Sequence, residues 1–104
     1  MIVNYSISKE MSDSEFRHGI KELRPNNFSW EGLGALFEML TSYAEETETN
    51  IRWDPIAFCC EFTEYSSLEE FQENYGKEEY PDMEAIRDQT IVHEFKGGFI
   101  IQDF

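Results

Sequence analysis

Positive charge is what this chain has least of. Eight lysines and arginines face 22 aspartates and glutamates over 104 residues, a net charge of −14 at pH 7. A surface of that sign repels nucleic acid and anionic membrane, and attracts basic partners. Direct binding to either polyanion is therefore excluded. Long apolar runs are missing too, and none approaches the roughly 20 residues of a membrane-spanning helix. The opening stretch, MIVNYSISKEM, has no basic region followed by a long apolar core, so no secretory signal is expected. The expected location is cytoplasmic, where the thiols stay reduced.

Metal- and phosphate-binding devices are equally scarce. There are two cysteines, Cys59 and Cys60, side by side, and two histidines, His18 and His93, distant from them in sequence. A structural zinc site takes about four nitrogen or sulfur ligands, usually in spaced pairs. No D-x-D-x-D-G calcium loop, P-loop or dinucleotide fingerprint is present. No catalytic residue, metal or cofactor is assigned. A reactive thiol needs an electropositive setting, and Glu61 and Glu64 provide the reverse. Cys59 and Cys60 are read as buried structural thiols, and the histidines as structural. A small enzyme using Cys59 or His93 is the catalytic alternative.

No linker and no repeat interrupts the chain, and its length suits one domain spanning residues 1–104. Forty per cent hydrophobic and 15% aromatic residues are enough for a packed core and argue against disorder. Val3, Tyr5 and Ile7 alternate with polar residues as in a half-buried strand. Ser12 to Glu15 reads as a capping box, opening a short helix to about Leu23 that Arg24-Pro25-Asn26-Asn27 stops. Ser29 is the next N-cap, with Phe28 and Leu33 at hydrophobic-staple positions. Leu33, Leu36, Phe37, Leu40, Tyr43 and Ala44 then form the stripe of an amphipathic helix.

Ile51 to Tyr65 reads as a strand, with Pro55 at its start or at an irregular edge. Period two then sends Ile56, Phe58, Cys60 and Phe62 to one face and Cys59 and Glu61 to the other. Ser67 to Glu70 is a second capping box, with Leu68, Phe71 and Tyr75 as its stripe and Gly76 as its stop. Asp82 caps a short turn that faces Met83 and Ile86 inward. Thr90–Phe95 and Phe99–Phe104 read as strands around Lys96-Gly97-Gly98, a hairpin signal. The order β-α-α-β-α-α-β-β predicts an α+β domain: a mainly antiparallel sheet of about four strands, helices on one face, and a C-terminal β-hairpin.

The negative charge is concentrated. Residues 45–84 hold 13 acids against Arg52 and Lys77. Solubility alone does not demand such density, and self-repulsion at this level destabilises a fold. Glu45, Glu46 and Glu48 end the long helix, where they oppose its macrodipole. Glu61 and Glu64 flank the cysteine run, and Glu69, Glu70 and Glu73 line the next helix, followed by Glu78 and Glu79. DNA carries about one charge per 1.7 Å of axis, and rows of carboxylates on rigid elements imitate such an array. These ten glutamates are the candidate partner-binding residues. Tyr65 and Tyr75 join them as aromatic anchors. The expected partner is a basic, nucleic-acid-binding protein, and a homodimer is compatible with the pattern.

The segments FSWEGLGALFEML and DPIAFCCEFTEY, with the apolar C-terminal hairpin, resemble small proteins of phages and mobile elements over residues 28–104. In size and acidity the chain is similar to phage DNA mimics and anti-defence proteins: anti-restriction proteins, anti-CRISPR proteins and inhibitors of uracil-DNA glycosylase. That likeness implies a non-enzymatic inhibitor occupying a nucleic-acid-binding surface of a host protein, such as a CRISPR effector or restriction enzyme. Two readings compete with it: an immunity protein or antitoxin for a basic nuclease, and a structural or assembly module whose charge only solubilises it.

Overall fold

The first helix begins where the capping box sits. In a computed structural model of the protein, which describes residues 11–104, α1 spans Asp13–Leu23. The Ser12 hydroxyl accepts from Glu15 N at 3.1 Å, and Ser12 N donates to the Glu15 carboxylate at 2.9 Å. Two orphan amides of the first turn are thereby satisfied. The strand expected around Val3, Tyr5 and Ile7 lies outside the described residues.

Helix α2, Trp30–Thr47, starts at Ser29, whose hydroxyl accepts from Gly32 N at 2.9 Å. It ends at Glu48, which adopts the left-handed conformation at φ 53° that more often falls to glycine. Of the stripe that the spacing predicts, Leu33, Leu36, Leu40 and Ala44 are buried and Met39 joins them, while Phe37 is half-buried and Tyr43 is exposed.

Residues 51–61 depart from expectation. The strand expected over Ile51–Tyr65 is instead helix α3, Pro55–Glu61, followed by a short strand β1, Phe62–Tyr65. Asp54 caps α3 by accepting from Ala57 N at 3.1 Å. Pro55 occupies the first helical position, where its missing N–H costs nothing. The run is ambiguous because Ile56, Phe58, Cys60 and Phe62 satisfy period two, while Pro55, Phe58, Cys59 and Phe62 satisfy the helical i, i+3, i+4, i+7 pattern. The Asp-Pro start decides for the helix.

Helix α4, Leu68–Tyr75, is capped by Ser67, whose hydroxyl accepts from Glu70 N at 3.2 Å. The Glu70 carboxylate reaches back one residue further than a standard box, to Ser66 N and Ser66 Oγ, both at 3.1 Å. Gly76 ends α4 at φ 101°. Asp82 caps α5, Met83–Arg87, through Ala85 N. Strands β2, Val92–Phe95, and β3, Gly98–Gln102, form the expected C-terminal hairpin with a two-residue connection, Lys96-Gly97.

The result is an α+β fold whose antiparallel sheet has three strands among the described residues, in the order β1-β3-β2. The expectation of helices on one face needs correcting. Ile100 and Ile101, neighbours on the central strand, are both 0% exposed. Neighbouring strand residues point to opposite faces, so both faces are covered. Ile100 joins Phe16, Ile20, Leu36, Phe58 and Phe62 under α1, α2 and α3. Ile101 joins Tyr65, Phe71, Ile86 and Phe99 under α4 and α5. The second core is largely aromatic: Phe71 stacks on Tyr75 at 4.3 Å between centroids and meets Tyr65 edge-on at 5.2 Å. Such pairs add about 0.5–1.5 kcal/mol each beyond burial.

Candidate functional site

Two helices on opposite faces of the sheet finish at the same end of it. The start of α2 lies beside the last part of β1, where Ser29 N donates to the Glu64 carboxylate at 2.9 Å. Its C-terminal half lies beside the first residue of β1 and the end of β3, since Met39, Leu40, Tyr43 and Glu46 share a groove with Phe62 and Gln102. Helix α4 leaves the far end of β1 through Ser66-Ser67 and returns, so that Tyr75 stacks on Phe104 at 5.2 Å. Both C-termini, the negative ends of the helix dipoles, thus converge where β1 begins and β3 ends. Glu45, Glu46 and Glu48 stand at the end of α2, Glu61 at the end of α3 just before β1, and Glu78 and Glu79 in the loop after α4. All six side chains are exposed.

Two exposed cations adjoin this pole, Lys77 beside Glu78 and Arg52 beside Ile51 of the groove, against its six acids. Arg17 is paired with Asp13 at 3.0 Å and lies over the Trp30 ring, toward the start of α2. Arg87 is shared between Glu84, at 3.1 Å, and Glu94. Lys21 donates to the carbonyls of Pro25 and Phe28. Apolar side chains stand among the acids instead: Tyr43 is 50% exposed, Ile91 47% and Phe104 49%. Tyr43 and Ile91 border a groove of about 550 Å³, with Met39, Leu40, Phe58 and Phe62 as its buried floor and Glu46 and Glu61 on its rim.

The remaining sequence candidates do not all join this pole. Glu69 and Glu70 lie in the first turn of α4, at the opposite end, where Glu70 is engaged in the cap, whereas Glu73 is exposed in its last turn and adjoins the pole. Glu64 is half-buried and accepts from the N–H of Ser29, the N-cap of α2, so its charge serves the helix dipole rather than an outside partner. Tyr65 is 6% exposed, enclosed by Phe71 and Phe99, and burial raises its phenol pKa. It is a core residue and offers no ring face to a partner. Tyr75 is half-buried within the Phe71, Tyr80 and Phe104 aromatic cluster. Sequence reading missed Tyr43, Ile91 and Phe104 as surface groups. Tyr43 in particular was absorbed into the apolar stripe of α2, at whose edge it lies.

Glu64 yields a direct test. Glu64→Ala should destabilise the fold by about 1–2 kcal/mol in urea unfolding, through the lost bond to Ser29 N and the lost charge–dipole attraction. Glu69→Ala should be near neutral. Equal effects at the two positions would refute a structural role for Glu64.

The cysteines need a second correction. On α3, adjacent side chains diverge by about 100° rather than pointing to opposite faces of a sheet. Cys60, expected in the core, is exposed, whereas Cys59 is half-buried against the first core. Burial pushes the Cys59 thiol pKa up, partly offset by the Arg24 guanidinium. Iodoacetamide should therefore label Cys60 in the native protein, with Cys59 lagging until denaturant is added. Preferential labelling of Cys59, read by peptide mapping, would contradict the α3 geometry.

His93 faces Glu38 of α2 at 3.9 Å. Among the described residues, no three His, Cys, Asp or Glu side chains are grouped to hold a metal ion, and no helix is long and apolar enough to cross a membrane. Compared with protein-family models, with curated proteins and with solved structures, the chain matches none.

Proposed function

We propose that this protein is a non-enzymatic acidic inhibitor of phage or mobile-element origin, acting in the host cytoplasm. It binds a basic, nucleic-acid-handling host protein, such as a CRISPR effector or restriction enzyme, on the surface that would otherwise hold nucleic acid. The observation that carries this reading is the convergence of two helix C-termini and six exposed carboxylates, Glu45, Glu46, Glu48, Glu61, Glu78 and Glu79, at one end of the sheet. Acids at a helix C-terminus oppose the dipole by about 0.3–1 kcal/mol each. A charge arrangement that weakens its own scaffold is accounted for by a partner that needs the negative field.

A tagged pull-down from nuclease-treated host lysate tests it, washed first at low and then at high salt. A basic nucleic-acid-binding protein should be retained at low salt and released at high salt, as Debye screening shortens from about 30 Å at 0.01 M to 3 Å at 1 M. Recovery of the protein alone, or of a salt-resistant partner unrelated to nucleic acid, would instead support the assembly-module reading. The same salt increase should stabilise the isolated fold by screening its self-repulsion, so the two responses have opposite signs.

A further inference from the structure

The groove between α2, α3 and the hairpin adds an apolar contact to an otherwise electrostatic surface. Its volume, about 550 Å³, lies in the range of pockets that enclose ligand side chains. Its floor is the first core itself: Met39, Leu40, Phe58 and Phe62 are buried, yet reach the groove. Tyr43 and Ile91 stand exposed at its sides, and Glu46 and Glu61 on its rim. No lysine or arginine lines it among the described residues; its one basic side chain is His93.

We infer that this groove receives a segment of the basic partner in which an aliphatic or aromatic side chain is flanked by lysine or arginine. Charge complementarity selects that occupant. The apolar side chain enters the groove, while the flanking cations reach Glu46 in the last turn of α2 and Glu61 at the end of α3, both at negative helix ends. Long basic side chains suit such a site, because their methylene stems lie along apolar surface while their heads stay with the carboxylates. A second copy of this chain is disfavoured by a net charge of −14 on each. The inference rests on the acidic-inhibitor reading, but adds what charge alone does not supply, a requirement for one apolar residue at a defined place.

The test is a heteronuclear NMR titration of the protein with two synthetic peptides of equal charge. One carries a central leucine between arginine pairs, and the other has serine in its place. The leucine peptide should bind at least about tenfold tighter, with the largest shifts at Tyr43, Glu46, Glu61 and Ile91. Ser42→Trp, an exposed position on the groove's edge, should abolish the leucine-dependent gain and leave serine-peptide binding unchanged. Equal binding of both peptides, with shifts spread over all exposed acids, overturns the groove inference while the electrostatic reading stands. Binding of neither overturns both. Concentration-dependent self-association with groove-centred shifts, in the absence of peptide, gives the groove to a second copy and also overturns it.

Discussion

Gly98→Ala should cost at least about 3 kcal/mol, a large share of the roughly 5–15 kcal/mol that stabilises a domain. Gly98 opens β3 at φ 152°, a conformation that side-chain-bearing residues rarely adopt. A Cβ there would be driven into the carbonyl oxygen of Tyr65 and against the backbone of Ser66. Neither obstacle is the free end of a side chain, so relief requires β1 and β3 to separate. That pairing, with Tyr65 opposite Phe99 and Phe62 opposite Gln102, joins the two halves of the molecule. Gly76 is the internal comparison. Its φ is 101°, but a Cβ at that position would meet nothing within 4 Å. Gly76→Ala should therefore cost only the backbone strain, about 1–2 kcal/mol. Similar losses at the two glycines in equilibrium unfolding would mean that the close approach of β1 to Gly98 is wrong.

Reversing four charges at the acidic end should have the opposite balance of effects. The variant Glu45→Lys, Glu46→Lys, Glu48→Lys and Glu61→Lys moves the net charge from −14 to about −6. Three of the new cations sit at the C-terminus of α2, where the dipole favours them by about 0.3–1 kcal/mol each. Stability should hold or rise. Affinity for a basic partner should fall by at least about a hundredfold, since attraction becomes repulsion at close quarters. A gain in stability joined to a loss of binding identifies residues kept for function against the interest of the fold. Full retention of binding by this variant would reject the electrostatic mechanism. Reversing Glu69 on α4 instead should weaken binding less, as it lies in the first turn, at the other end of the helix from the pole.

Much of this molecule is decided within a few residues of chain. The capping signals at Ser12, Ser29, Ser67 and Asp82 each specify a helix start, because the side-chain oxygen and the amide it satisfies lie three residues apart. The stripe of α2 and the Lys96-Gly97 hairpin are local in the same sense, as is the excess of carboxylates between residues 45 and 84. The sequence alone determined those features, and with them the α+β class and the sign of the surface. Tertiary structure decided the rest. The Pro55–Phe62 run satisfies two periodicities; the local Asp54-Pro55 start makes it a helix, and the packing of that helix on the first core leaves Cys60 outside. Glu64 and Glu69 are alike as letters, yet one holds the first turn of α2 and the other faces solvent. Whether Ile100 and Ile101 are both buried depends on helices arriving from opposite sides of the sheet. The shared end of α2 and α4, which brings Glu46, Glu61, Tyr43 and Ile91 to one groove and seats Phe104 on Tyr75, arises from the β1-β3-β2 order. Residues far apart in the chain come together there only once β3 has inserted between its neighbours, and no local pattern encodes that insertion.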